Sequence, residues 1–312
     1  LHALVFALTL AVATHAGATS VEDLCGDPVP DPCVITTPHA VDDGSTLSLG
    51  VGDLILRTSG GRLDVGAGTM RLIAGSVTLE SGGRLQGAGG TIQIIALETI
   101  TVDAGARIDV SSDAGGGTID VFTLGDALAA GDLLAAGTGP SAVGGWVHVR
   151  AEGNATLANL SARGGGQVYP PLSIPQTRGA IAVTSHGALT VGAADVSHGD
   201  CFTCEITLES DGDLRTGKLN ARGTGPVGDG GWVTLDAGGS IFVDEDIAAQ
   251  AGGGDGESGG AGGEVAIAAG ADLRLAGSLL LGGSAPDGDG GTFDLSAAGD
   301  LVQAASSVID AD

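Results

Sequence analysis

A glycine pair followed by an alternating apolar strand recurs along this 312-residue chain. It appears as Gly116-Gly117-Thr118-Ile119-Asp120-Val121, Gly144-Gly145-Trp146-Val147-His148-Val149, Gly230-Gly231-Trp232-Val233-Thr234-Leu235, Gly262-Gly263-Glu264-Val265-Ala266-Ile267 and Gly290-Gly291-Thr292-Phe293-Asp294-Leu295. Fixed-order recurrence at a period of a few tens of residues is the signature of a solenoid, because one unit cannot bury its apolar side alone. A second element, Arg62-Leu63-Asp64, returns as Arg84-Leu85-Gln86 and Arg107-Ile108-Asp109, at spacings of 22 and 23 residues. The series extends through Leu133, Leu160, Val196, Leu219, Ile247, Leu279 and Ile309, with gaps of 25, 27, 36, 23, 28, 32 and 30. A third short strand completes each unit, as in Leu189-Thr190-Val191, Ile241-Phe242-Val243 and Leu273-Arg274-Leu275. Each element alternates with period two, so one side of every strand is apolar.

Three short strands per unit predict an all-β, single-stranded parallel β-helix of about ten coils, each of roughly 22–36 residues. An antiparallel sandwich fits the strand count but not the repetition of one motif in one order. The 58 glycines are expected at the coil corners, where tight bends need the positive φ that glycine adopts freely. They keep no three-residue period, which excludes collagen, and their density disfavours a helical fold. Nine coil steps give a rod on the order of 43 Å long at ~4.8 Å per coil.

Residues 1–18 read as a signal peptide, with a short apolar run over 4–13 and a small-x-small site at Ala16-Gly17-Ala18. Residues 19–46 are expected to form an N-terminal cap, and 47–312 the β-helix. The final Ile309-Asp310-Ala311-Asp312 looks like the opening of another coil, so downstream domains of a longer chain are expected. No later stretch is long and apolar enough for a membrane span. In an exported chain the four cysteines suggest two disulfides, and their grouping favours Cys25 with Cys33 and Cys201 with Cys204. A rival reading keeps His198, Cys201 and Cys204 as zinc ligands, with Asp200 or His186 folding in as a fourth.

A formal net charge of -26 excludes nucleic acid as a partner, since phosphate contact needs Lys and Arg. Loops carrying Asp229, Asp255, Glu257, Asp287 and Asp289 suit calcium, which takes oxygen ligands. The same residues are also good solvated turn formers, and no cofactor is required by anything in the sequence. Trp146 and Trp232 hold one place in the repeat, three coils apart; with Tyr169 they form a candidate glycan surface, unless they pack at a corner. Arg62, Arg84 and Arg107 should stack as a ladder interleaved with Asp64 and Asp109. For catalysis the best available cluster is Asp211, Asp213, Arg215, Lys218 and Arg222, one candidate set for a polysaccharide lyase or hydrolase.

The leader, the cysteine-bearing cap and units such as Gly61-Arg62-Leu63-Asp64-Val65, Gly75-Ser76-Val77-Thr78-Leu79 and Gly90-Thr91-Ile92-Gln93-Ile94 resemble β-helical surface proteins of Gram-negative bacteria, of the filamentous-haemagglutinin and autotransporter-passenger types. The resemblance covers residues 47–312 and implies an exported spacer or adhesin at the cell surface, without catalysis. Its partners would be a surface or matrix glycan or protein. It carries over no binding residue. A polysaccharide-active enzyme on the same scaffold is the alternative.

Overall fold

The computed structural model describes residues 18–165, 179–199, 201, 203–225, 228–253, 259–285 and 288–312. They form a parallel β-helix in which every strand pairs in parallel with its counterpart one coil away. One face is a ten-stranded sheet of mostly six-residue strands, from Ser45–Ser48 through Thr91–Ala96, Trp146–Ala151, Ala180–Ser185, Glu205–Ser210 and Trp232–Ala237 to Thr292–Ala297. The other two faces carry short strands, exemplified by Ile100–Val102 and Arg107–Asp109. In the central coils these two merge into single strands such as Ala127–Leu134, Leu189–Asp195 and Leu214–Asn220, so the two faces become one 18-stranded sheet.

The six-residue strands alternate as the sequence requires. Ile92, Ile119, Val147, Ile181, Ile206, Val233 and Val265 form one continuous inner column, and Ile94, Val121, Val149, Val183, Leu208, Leu235 and Ile267 a second, all at most 2% exposed. A third column carries small residues, among them Ala96, Thr123, Ala151, Ser185 and Ser210. Its buried hydroxyls are satisfied by carbonyls in the turns of the coils before: Thr123 donates to Glu98 O (2.9 Å), Ser185 to Gly153 O (2.8 Å) and Ser210 to Gly187 O (2.7 Å). Such pairing is what permits a polar group inside an apolar stack.

On the short-strand face the inner column runs Leu63, Leu85, Ile108, Leu133, Leu160, Ala194, Leu219, Ile247, Leu279 and Ile309. The repeat spacing places Val196 in this column, whereas the ladder places Ala194 there. Val196 lies two residues further on, which preserves its inward face and explains the misalignment. It is buried all the same.

Glycine serves a different purpose from the one expected. Positive φ occurs at a few turns, mostly in the N-terminal coils, such as Gly82 (φ 86) and Gly105 (φ 83). The recurrent pairs are instead places where backbones of successive coils touch. A Cβ at Gly145 would overlap the carbonyl of Gly117, one at Gly263 that of Gly231, and one at Gly291 that of Gly263. The second glycine of each pair also closes its loop at the neck. Gly145 N–H donates to Ala135 O (2.8 Å), Gly231 to Ala221 O (2.7 Å), Gly263 to Ala249 O (2.7 Å) and Gly291 to Leu281 O (2.8 Å). Loops of different length therefore leave the stack through the same closed neck, which accounts for the variable period.

Many acidic residues are spent on a structural task. At the turn after several strands of this sheet, a side-chain oxygen accepts the backbone N–H of the next coil. Asp53 accepts from Ser76, Asp126 from Asn154, Asp213 from Ser240 (each 2.8 Å) and Asp272 from Asp300 (3.0 Å). Replacing Asp213 by Ala is expected to cost about 1 kcal/mol and to lower the exchange protection of the Ser240 amide, whereas Asp213→Asn keeps the acceptor and most of the protection. Equal protection in both variants would count against this role.

At the N-terminal end the helix Val21–Cys25 packs Val21, Leu24 and Cys25 against the core. Ser20 caps it, its hydroxyl accepting from Asp23 N–H while the Asp23 carboxylate accepts from Ser20 N–H. These Ser20 contacts, the backbone one first, hold the Asp23 carboxyl below its ordinary value. The box is thus complete above the unfolded-state pKa and is lost as pH falls through the folded one. Paired strands begin at Cys33, so the first coil starts inside the segment expected to be cap. Cys25 and Cys33 form a disulfide, Cα–Cα 5.5 Å. Residues 1–17, including most of the expected leader, lie outside the described residues. No helix among the described residues is long and apolar enough to cross a membrane.

Candidate functional site

The most developed surface feature lies on the outer side of the ten-stranded sheet, where alternate side chains of each strand face solvent. Two outward columns are set by strand register. The first runs Thr118, Trp146, Ala180, Glu205, Trp232 and Glu264; the second runs Asp120, His148, Ala182, Thr207, Thr234 and Ala266. Bulky side chains in two successive coils give way to a pair of alanines and then return. The result is a notch of about 380 Å³ with Ala180 and Ala182 as its floor and Trp146 as one wall. The two tryptophans are 49% and 46% exposed, so both belong to the open face rather than to a buried corner. They are three coils apart, ~14 Å along the rod.

The rim is polar. His148 Nδ1 lies 3.2 Å from Asp120 Oδ1, and Gln93 Nε2 donates to Asp120 Oδ2 at 2.9 Å. Asp120 is thus held from both neighbouring coils, and it orients the imidazole ring. Glu205 accepts a hydrogen bond from Thr207 (2.9 Å). A second row sits at the adjoining edge: His186 Nδ1 is 2.8 Å from Asp211 and its Nε2 is 3.7 Å from Glu152, which also takes Arg150 at 2.9 Å. Arg150 lies over the Phe122 ring, 5.8 Å from its centroid.

The residues proposed for catalysis are distributed around the coil. Asp211 meets His186, and Asp213 caps Ser240. Arg215 is on the next face, its Nη2 donating to Asp244 at 3.1 Å. Lys218 stands outward beside Ala193 in register, and Arg222 follows that strand. The structure does not gather the five into one site.

Among the calcium candidates, Asp229 Oδ1 accepts the Ala261 N–H (2.8 Å), and the Asp289 carbonyl accepts the Gly262 N–H (2.8 Å). Asp255, Glu257 and Asp287 lie outside the described residues, as do Tyr169 and Asp200. Among the described residues no group of three His, Cys, Asp or Glu is arranged to hold a metal ion.

Cys201 and Cys204 are both fully buried and form a disulfide, Cα–Cα 4.8 Å. That commits both sulfurs to each other, whereas zinc would need them as thiolates. His186, the suggested fourth ligand, is engaged with Asp211. The disulfide stands where other coils carry their glycine pair: Trp232 N–H donates to Cys204 O (2.9 Å), just as Trp146 N–H donates to Gly117 O (2.9 Å).

The arginines stack as expected, but the interleaving with carboxylates is partial: among the described residues only Arg107 of the three makes an ion pair, and Asp64 is taken by Gln86. Arg62, Arg84 and Arg107 pair in register, followed by Asp132 and Asn159. Arg107 reaches Asp109 at 3.6 Å, and Gln86 donates to Asp64 at 2.6 Å.

Sequence reasoning reached Trp146 and Trp232 but missed Ala180, Ala182, the His148–Asp120 pair and Glu205. The signal for these is register: residues at one strand position in successive coils become neighbours once the repeat is aligned. No family model, curated protein or solved structure matches this chain.

Proposed function

We propose that the chain is an exported β-solenoid acting as a structural spacer or adhesin at the cell surface of a Gram-negative-type bacterium, without catalysis. The observation that carries this reading is the unbroken stack of apolar columns through successive coils, which makes a stiff rod out of a chain with few aromatic residues. Stiffness follows because each coil is bonded to its neighbours along all three faces. Two disulfides fit an oxidising compartment, where such bonds persist. The strongly acidic surface keeps rods apart in solution and repels nucleic acid.

Expressing the tagged chain in a Gram-negative host and treating intact cells with protease tests this directly. The expected result is cleavage of the tag on intact cells, with no free thiol before reduction and four after it, matching the four cysteines. A protected tag together with four reduced cysteines would overturn the reading. So would release of reducing ends from a polysaccharide that stops on replacing Arg215 and Lys218.

A further inference from the structure

We infer that the notch between Trp146 and Trp232 is a binding site for an uncharged pyranose chain, lying along the rod axis across the ten-stranded sheet. This deepens the adhesin reading by naming the face that adheres and the class of ligand. The shape comes first. A notch of about 380 Å³ falls within the roughly 300–1,000 Å³ typical of small-ligand sites. Its floor is two alanines, Ala180 and Ala182, so a flat ring can approach the sheet where all neighbouring coils would hold it off.

The chemistry comes second. A pyranose ring presents a face of C–H bonds and an edge of hydroxyls. Trp146 offers an exposed indole for the face, and the groups around it are mainly acceptors for the hydroxyls: Asp120, fixed by Gln93 and His148, and Glu205, fixed by Thr207. Side chains already held by protein hydrogen bonds lose little freedom on binding. Trp232, in the same column beyond Glu205, repeats the indole ~14 Å further along. A ligand that meets both must be a chain rather than a single sugar.

Charge decides which chain. Asp120 and Glu205 line the notch, and Glu209, Asp236 and Glu264 continue outward along the same sheet. Of the cations on this face, His148 is held by Asp120 and Arg150 by Glu152, and Arg71 stands in the column of Asp120 but two coils before it, outside the lining of the notch. A uronate or sulfated polymer would meet carboxylates without compensation. An uncharged glycan would meet acceptors suited to its hydroxyls.

The chain has two tryptophans, and both stand in this column, so intrinsic emission reports on the site without a label. Cellohexaose and maltohexaose are the neutral probes, hexagalacturonate the anionic one, and calorimetry the independent readout. Saturable binding of at least one neutral hexasaccharide is expected, with hexagalacturonate bound at least about tenfold more weakly. Trp146→Ala should weaken binding by about tenfold or more. Ala182→Leu fills the floor, retains both indoles and should do the same, with the melting midpoint of each variant confirming the fold. Trp232→Ala should weaken hexasaccharide binding while leaving cellobiose unaffected.

Failure of both neutral hexasaccharides to bind would overturn the inference, as would equal affinity for hexagalacturonate. Folded Trp146→Ala and Ala182→Leu variants that bind like wild type would overturn it too. None of these results bears on whether the rod is displayed outside the cell, which the protease experiment reads separately.

Discussion

Gly145→Ala is expected to destabilise the solenoid by about 3 kcal/mol, whereas Gly253→Ala leaves it within about 0.5 kcal/mol of wild type. The two glycines differ in surroundings, not in chemistry. A Cβ at Gly145 would overlap the carbonyl of Gly117 in the preceding coil and approach that of Ala135 to 2.6 Å, while one at Gly253 meets nothing within 4 Å. Both neighbours of Gly145 are backbone, and both take part in ladder or neck hydrogen bonds. Relief would mean parting two coils, which loses contacts on all three faces. Urea unfolding of the two variants beside wild type is the measurement. If Gly145→Ala unfolds at the wild-type midpoint, close approach of backbones is not what the glycine pairs provide.

Leu235→Ala should cost about 3 kcal/mol, and Thr234→Ala less than about 0.5 kcal/mol. Leu235 is fully buried between Leu208 and Ile267 in an inner column, whereas its neighbour in sequence stands on the outer face. A truncation there leaves a cavity that coils above and below cannot fill, since their own positions are fixed by strand hydrogen bonds. Because each coil touches only its neighbours, the loss should be local. Amide exchange is expected to rise in residues 205–210 and 264–269 well before it rises in the first coils. Uniform loosening along the whole rod would contradict that nearest-neighbour picture.

Much of this architecture is visible in the residues because period-two alternation is a local signal: Val233 and Leu235 point inward and Trp232 and Thr234 outward by parity alone. Parity also sets the limit. Shifting a strand by two residues keeps every side chain on its face, so Val196 reads as well as Ala194 in the inner column, and only the ladder distinguishes them. The acidic residues were harder still. Asp213, Asp126 and Asp229 look alike as turn formers, as metal ligands and as catalytic groups, because what defines them is a backbone N–H 27, 28 and 32 residues further on. The notch belongs to the same category. Ala180 and Ala182 are unremarkable in sequence and acquire meaning only between the side chains that flank them one coil to either side.

The hydrogen bond that closes each loop at its neck separates two jobs that most folds combine. The coil is complete once Gly145 meets Ala135, or Gly263 meets Ala249, whatever number of residues lies between. Material inserted past the residues that bond one loop to the next, such as Gly252 to Gly228 and Ser284 to Gly260, is therefore cargo that the frame carries without having to recognise it. A foreign peptide grafted after Gly253, where a side chain meets nothing within 4 Å, would ride on an unaltered rod at a known height along its axis, and several such grafts would be spaced by whole numbers of coils. The molecule is in effect a graduated ruler with interchangeable markers along one edge.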